Sequence, residues 1–209
     1  MKKNSNPTKH FFATSIYHTD LYAKTTATKV NKQLIEEVQI LKSKDTAGMK
    51  WCQKNYPGGY TSYHSIPNLH QRSSNFLELE KKIRAHVYKF ASILDLDLLD
   101  RPLVMSDFWV NIMPKSVTHG LHLHPLSVIS GTYYVDTPKG CSAIKFEDPR
   151  LGFFMASPPR KTNPSKSYFV EYPAEAGKLI LFESWLRHEV PPNLSDKERI
   201  SVSFNYAWA

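Results

Sequence analysis

Three histidines lie where their side chains could share a metal ion. His122 and His124 are separated by one residue, so on a β-strand both side chains leave the same face. His188 follows the strand-like segment GKLILF and could bring a third imidazole from a distant part of the chain. Imidazole nitrogen is a common ligand for iron, zinc and copper. The pattern indicates a metal site, although nine histidines in 209 residues also produce close pairs by chance.

A cationic residue follows the distal histidine at the start of the last strand-like segment. Arg199 comes eleven residues after His188 and two before Ser201. A guanidinium beside a hydroxyl can bind a carboxylate through charge-assisted hydrogen bonds. Polar and apolar residues alternate from Arg199 to Tyr206, and in an ordinary surface strand the polar side would face water. In a jelly roll with helices outside, that side would line the interior, which favours a polar ligand there.

The elements that must position these residues are mainly short strands. Eight strand-like segments punctuated by Pro and Gly start at about residue 104 and predict a sandwich, jelly roll or barrel. Two earlier segments, TKVNKQLIEEVQILKS and SNFLELEKKIRAHVYKFASIL, have helical periodicity and an apolar stripe that would cover one outer face. The intervening segment WCQKNYPGGYTSYHS is predicted to be a loop. We expect a single domain over 1–209, with a frayed tail at 1–10, helical support at 11–103 and the β core at 104–209.

Composition narrows the class of protein. The 27 Lys and Arg exceed the 19 Asp and Glu by eight, but the charges are scattered and no nucleic-acid-binding motif accompanies them. Cys52 and Cys141 are far apart, which argues against a disulfide framework or a thiolate zinc site. No segment approaches the roughly 18 apolar residues of a membrane span, and no signal peptide is evident. The expectation is a cytoplasmic protein with neither a membrane nor a nucleic-acid partner.

The motifs of the C-terminal half resemble the iron(II)- and 2-oxoglutarate-dependent dioxygenase superfamily. The resemblance lies in HLHPLSVISGTYYV, GKLILFESWLRHEVPPN and RISVSFNYAW, and more narrowly these look like a small subgroup of 2-oxoglutarate oxygenases. It implies a mainly β protein with flanking helices. Its core would be a double-stranded β-helix, a cupin-like jelly roll, with the N-terminal helices packed on one sheet.

The resemblance also implies roles for four residues around the cosubstrate. Arg199 matches the residue that holds the far carboxylate of 2-oxoglutarate, with Ser201 as its partner. Tyr134 matches a position that offers a phenol to that carboxylate, and Asn111 is a further cosubstrate contact. The adjacent Tyr133 should point to the opposite face, so the two tyrosines cannot both serve.

The chain departs from the superfamily pattern at the metal. His122 and His188 match the first and the distal iron ligands, but His124 stands where the superfamily has Asp or Glu. His124 could be the third ligand, a carboxylate could arrive from elsewhere, or the position could be left to water or an anion. Glu183 and Glu189 lie at odd offsets from His188 and should face away from it, so we favour His124.

The implied activity is oxygenation with iron(II), 2-oxoglutarate and O2, and it yields succinate and CO2 with oxidation of an unknown substrate. Hydroxylation is the default outcome. The alternative is a non-catalytic cupin-like module that binds a metal or a small ligand. Segments 51–65 and 149–167 are the expected substrate contacts, because loops at a barrel mouth usually set specificity. The partners expected are 2-oxoglutarate and an unidentified prime substrate, and an oligomer is left open.

Overall fold

The computed structural model describes residues 8–9, 11–98, 100–156, 158–159, 161 and 167–209. Within these residues the α-helices are α1 (Lys24–Lys44), α2 (Thr46–Asn55) and α3 (Ser74–Ile93). The strands are β1 (Ile16–Asp20), β2 (Tyr60–Thr61), β3 (Leu103–Met113), β4 (His119–His122), β5 (Ile129–Asp136), β6 (Ile144–Glu147), β7 (Phe169–Tyr172), β8 (Lys178–Glu183), β9 (His188–Val190) and β10 (Arg199–Trp208). All eight predicted strands are present, as β3 to β10.

The strands form two antiparallel sheets that enclose the interior. The larger sheet has the order β1-β8-β5-β10-β3-β2, and the smaller has the order β4-β9-β6-β7. Chain neighbours such as β3 and β4 lie in different sheets, so the chain passes repeatedly from one sheet to the other. This is the double-stranded β-helix, and the predicted fold class is confirmed.

The helices cover the outer face of the larger sheet. The Tyr133 hydroxyl of β5 donates to Asn31 Oδ1 of α1 at 2.7 Å, and the Tyr206 hydroxyl of β10 donates to Glu80 Oε1 of α3 at 3.2 Å. Helix α3 begins after Ser73, whose hydroxyl accepts from two backbone N–H groups of the first turn. The apolar stripe of α3 is buried as expected, and it comprises Phe76, Leu79, Ile83, Val87 and Phe90.

The segment predicted as a loop between the helical regions is partly regular. Helix α2 continues through Asn55, and Tyr60–Thr61 adds strand β2 to an edge of the larger sheet. The buried carboxylate of Asp45 organises this region. It accepts from Gly48 N at 2.8 Å, from the Tyr60 hydroxyl at 2.8 Å and from the Ser65 hydroxyl at 2.5 Å. These partners are up to twenty residues away along the chain, so the local periodicity could not reveal them.

Parts of two predicted segments lie outside the described residues. Of the predicted frayed tail at 1–10, only residues 8 and 9 are described. The predicted binding loop 149–167 is described except for 157, 160 and 162–166. Of the helices that the structure describes, none is both long and apolar enough to cross a bilayer.

Candidate metal centre and anion pocket

Strand β10 separates the helix-covered core from an internal cavity. Its apolar residues Ile200, Val202 and Phe204 are buried in the hydrophobic core. Its polar residues face a cavity of about 350 Å³ between the sheets, and those lining it are Arg199, Ser201, Ser203 and Asn205. The predicted alternation is therefore confirmed, and the surface-strand interpretation is wrong because the polar side faces this cavity.

The three histidines converge at one side of this cavity. His122 of β4 is directly opposite His188 of β9 in the register of the smaller sheet. His124 lies two residues beyond the end of β4, where its backbone N–H donates to Ser184 O at 3.0 Å. The potential ligand atoms of the three histidines all lie within 4.8 Å of one another. This spacing suits a single bound metal ion.

Hydrogen bonds orient all three imidazole rings in the same sense. Each Nδ1 lies within hydrogen-bond distance of an oxygen that can only accept, and the pairs are His122 with Gly120 O at 2.6 Å, His188 with Leu186 O at 2.9 Å and His124 with Asn205 Oδ1 at 2.5 Å. A neutral imidazole that donates from Nδ1 carries its lone pair on Nε2. All three rings can therefore present Nε2 to a metal, with the outer hydrogen bonds typical of histidine ligands.

Burial favours the neutral form of His188 and His124. Desolvation, reinforced by the neighbouring His122, lowers the pKa of His188 to about 3. Desolvation also lowers the pKa of His124, although the hydrogen bond to Asn205 opposes the shift. The neutral ring is the form that binds a metal ion. His188 and His124 are thus in their ligating protonation state at neutral pH.

The described residues place no carboxylate in the histidine cluster. Glu189 forms an ion pair with Lys145 across the strand pair β6–β9, with 3.1 Å between Oε1 and Nζ. Glu183 ends β8 and is not among the residues that line the cavity. Both observations agree with the expectation that these glutamates face away from His188.

Arg199 carries a buried charge that has no anionic partner among the residues that the structure describes. It is 2% exposed, and none of the ion pairs found among the described residues includes it. Its Nη1 contacts only Met113 Sδ at 3.3 Å and Ser201 Oγ at 3.5 Å, and its Nε has no hydrogen-bond partner. Burying an uncompensated charge costs several kcal/mol, so this guanidinium is suited to an anionic ligand.

Within the described part of the chain, two further buried polar atoms beside Arg199 have no hydrogen-bond partner. The Arg199 guanidinium lies 5.0 Å from the centroid of the Tyr134 ring, and the Tyr134 hydroxyl is unpaired. Asn111 Oδ1 is also unpaired, while its Nδ2 donates to Ser203 Oγ at 3.1 Å. Both Asn111 and Tyr134 are the register partners of Ser201 on either side of β10. Such unused hydrogen-bonding capacity on three adjacent strands is the arrangement expected where a polar ligand binds.

The stacked rings of His119 and Tyr56 also line the cavity, and the sequence did not predict them. His119 lies at an odd offset from His122, but the register between β4 and β9 shifts between these two residues. Both rings therefore border the cavity, with centroids 6.4 Å apart. The Tyr56 hydroxyl is 2.8 Å from His119 Nε2, and the rings stack at 4.5 Å. The irregular pairing of β4 and β9 breaks the simple alternation of side-chain faces, and no local sequence pattern indicated Tyr56.

Solved structures with the same fold include 2-oxoglutarate-dependent enzymes. SnoN, an epimerase of nogalamycin biosynthesis in complex with Fe3+, alpha ketoglutarate and nogalamycin RO, has a TM-score of 0.64 and 14% identity over 93% of this chain and 79% of that chain. HygX from Streptomyces hygroscopicus with nickel and 2-oxoglutarate bound has a TM-score of 0.63 and 12% identity over 93% of this chain and 83% of that chain. A Pseudomonas putida prolyl-4-hydroxylase has a TM-score of 0.57 and 14% identity over 93% and 92%. At these identities the likeness establishes the fold alone.

A family match covers the part of the chain that contains the cavity. No curated protein sequence matches the chain. Residues 107–205, however, match the model of the family described as "Putative 2OG-Fe(II) oxygenase". This range runs from β3 to β10 and includes the histidine cluster and Arg199. The β-helix core of this chain, residues 107–205, is therefore similar to the 2OG-Fe(II) oxygenase family.

Proposed function

We propose that the protein is an iron(II)- and 2-oxoglutarate-dependent oxygenase that hydroxylates an unidentified substrate. The observation that carries this proposal is the buried, unpaired Arg199 in the same cavity as three histidines that can present Nε2. A dicarboxylate with a keto acid at one end needs both features, since the keto acid chelates a metal and the far carboxylate needs a cation. Iron(II) held by His122, His124 and His188 would supply the activation of O2, with 2-oxoglutarate converted to succinate and CO2.

We assign the far carboxylate of 2-oxoglutarate to Arg199, Ser201 and Tyr134. Arg199 contributes the charge, and its unpaired Nε is free to donate. The Tyr134 hydroxyl can donate to the same carboxylate, because no other acceptor uses it. Asn111, on the neighbouring strand, lies in the same pocket, and it can donate to the carboxylate only from Nδ2, which also donates to Ser203 Oγ. Each of these groups is buried, so their bonds to the carboxylate are made in a low dielectric and are stronger than in water.

Three neutral imidazoles leave the metal site one unit more positive than two imidazoles and a carboxylate. With Arg199 nearby, this charge favours a dianionic cosubstrate over neutral competitors. Apolar side chains such as Phe182, Ile144 and Val190 form part of the cavity wall. They limit the water that reaches the reacting atoms, which strengthens the electrostatic contacts of the bound cosubstrate.

The prime substrate is proposed to enter past the segment 51–65. Trp51, Asn55 and Tyr63 from this segment line the cavity, and Tyr63 packs against Trp109 with centroids 4.8 Å apart. None of the described residues of 149–167 lines it. The structure therefore supports the first of the two predicted specificity segments more strongly than the second.

We also propose a cytoplasmic location and a single folding unit. Cys52 and Cys141 are both free thiols, which is typical of a reducing compartment. The strands β1 and β2, from the proposed support region 11–103, belong to the same sheet as four strands of the proposed core region 104–209. Separation of the two regions would expose edges of that sheet.

Turnover of 2-oxoglutarate tests the proposal directly. With iron(II), ascorbate and O2, the protein should form succinate from 2-oxoglutarate even without a prime substrate, although slowly. The variants His188→Ala and Arg199→Met should form none above background. The absence of a carboxylate ligand favours one competitor, the non-catalytic cupin-like module. Tight metal binding without any succinate formation would favour that module and contradict the oxygenase.

Adjacent tyrosines provide a matched pair for the cosubstrate pocket. Tyr134→Phe should weaken 2-oxoglutarate binding by about 1.5–3 kcal/mol, the usual contribution of a hydrogen bond to a charged group. It should not destabilise the free protein, because the hydroxyl it removes has no partner. Tyr133→Phe should bind 2-oxoglutarate like the wild type but lower the stability of the free protein, since the Tyr133 hydroxyl bonds to Asn31 on the opposite face. Isothermal titration with 2-oxoglutarate and thermal unfolding measure both effects; equal binding by the two variants would contradict the assignment.

A further inference from the structure

His124 differs from the other two histidines in how its ring is held. His122 and His188 lie on paired strands, and each donates from Nδ1 to a backbone carbonyl two residues earlier in its own chain segment. His124 lies beyond the end of β4, and its Nδ1 meets a side chain, Asn205 Oδ1, at 2.5 Å. The ring nitrogen of His124 that faces the metal position is therefore determined by a residue of another strand, Asn205, and not by the backbone near His124.

The orientation of the Asn205 amide is in turn determined by its other neighbours. Asn205 is 4% exposed. Its Nδ2 donates to Asp107 Oδ2 at 3.2 Å, and its Oδ1 accepts from Ser130 Oγ at 2.8 Å. A flipped amide would turn its oxygen toward the Asp107 carboxylate, which cannot donate. Asp107 thus forces Oδ1 toward His124, and that oxygen in turn requires a proton on Nδ1 of the histidine.

A closed chain of hydrogen bonds ties this amide to the backbone of His124. The hydroxyls of Ser130 and Ser184 are 2.7 Å apart. Because the Ser130 hydroxyl donates its proton to Asn205 Oδ1, the Ser184 hydroxyl must donate to Ser130 Oγ. The backbone oxygen of Ser184 accepts from the backbone N–H of His124 at 3.0 Å. Both the ring and the backbone of His124 are therefore held by the same group of residues.

We propose that Asn205, aligned by Asp107 and Ser130, is the positioning residue that makes His124 a metal ligand. The inference rests on the proposed function, in which an imidazole occupies the place of the usual carboxylate. Asn205 selects the tautomer of His124 that presents Nε2 and sets the angle of its ring. Asp107 places a negative charge two hydrogen bonds from the metal position without ligating it.

Metal affinity of the full-length protein tests this role without recourse to activity. The probe is Co(II), titrated anaerobically and followed by calorimetry and by its visible absorption bands. Asn205→Leu should lower Co(II) affinity about 10–100-fold, the usual effect of removing the outer partner of a histidine ligand. Asn31→Leu is the matched control, because Asn31 is another buried asparagine but lies on α1 on the far side of the larger sheet. It should leave Co(II) affinity and absorption unchanged.

A double-mutant cycle separates positioning from general loss of structure. In a His124→Ala background, Asn205→Leu should cost little further affinity, because the group through which it acts is already gone. The exchange variant Asp107→Asn/Asn205→Asp keeps an acceptor for His124 at position 205 and keeps a hydrogen bond between positions 107 and 205, with the donor now at position 107. It should recover Co(II) affinity to within a few-fold of the wild type, and it also provides a measurement if Asn205→Leu does not fold.

The possible failures are distinguishable. Equal losses from Asn205→Leu with and without His124 would overturn the positioning role, and so would an exchange variant that folds but does not recover affinity. If His124→Ala itself leaves Co(II) affinity unchanged while His188→Ala lowers it, His124 is not a ligand and the inference fails, but the oxygenase proposal survives. Failure of the wild type to bind Co(II) would contradict the proposed function as well.

Discussion

Replacing Arg199 with methionine is expected to weaken 2-oxoglutarate binding by about thirtyfold or more, while leaving the ligand-free protein at least as stable as the wild type. Truncating one partner of a buried, hydrogen-bonded charge pair costs about 2–5 kcal/mol of binding, or about thirtyfold to several thousandfold in affinity. In the free protein the guanidinium has no anionic partner among the described residues. An apolar side chain of similar length removes the cost of burying the unpaired guanidinium charge. Arg199→Met should therefore weaken 2-oxoglutarate binding without lowering the stability of the free protein.

Thermal unfolding with and without 2-oxoglutarate measures both effects in one experiment. A ligand that binds only the folded state raises the melting temperature, so 2-oxoglutarate with Co(II) should raise it for the wild type and not for Arg199→Met. Arg101→Met is the control, because Arg101 also lies over an aromatic ring, 5.7 Å from the Trp208 centroid, but it is exposed. It should respond to 2-oxoglutarate like the wild type. An undiminished response of Arg199→Met would show that the cosubstrate binds elsewhere.

The second large effect is expected at the metal. Replacing His188 with alanine should lower Co(II) or iron(II) affinity by more than about a hundredfold, because a lost ligand costs more than the 10–100-fold typical of a lost outer partner. His188 is the most buried of the three histidines and is paired in register with His122. Neither solvent nor a carboxylate of the described residues is therefore placed to take over its role as a ligand. Anaerobic calorimetry measures the affinity, and loss of the Co(II) absorption bands reports the change in coordination.

A histidine remote from the cavity provides the control for this substitution. His86 on α3 bonds to the Tyr17 hydroxyl at 2.8 Å and does not line the cavity. His86→Ala should bind Co(II) as tightly as the wild type, although it loses a partly buried hydrogen bond. If His188→Ala kept wild-type affinity, the metal would have to bind at other residues, and the ligand assignment would be wrong.

Local sequence patterns predicted most of the fold and the composition of the pocket. The eight core strands and the two longer helices follow from periods of two and of about 3.6 residues, which depend only on neighbours along the chain. Alternation on β10 correctly separated Arg199 and Ser201 from the helix-covered side. The same rule put Tyr133 and Tyr134 on opposite faces, and in the structure Tyr133 contacts α1 while Tyr134 lies beside Arg199. The ligand and cosubstrate roles of these residues stay predictions until they are tested.

The tertiary structure decided what depends on partners from distant strands. The sequence by itself determined which residues share a face, because side-chain direction follows from backbone geometry one strand at a time. It could not determine that a register shift turns His119 into the cavity, that Arg199 has no anionic partner among the described residues, or that Asp107 orients Asn205 toward His124. Register and hydrogen-bond partners are set by the packing of whole strands against one another, and no local period encodes them.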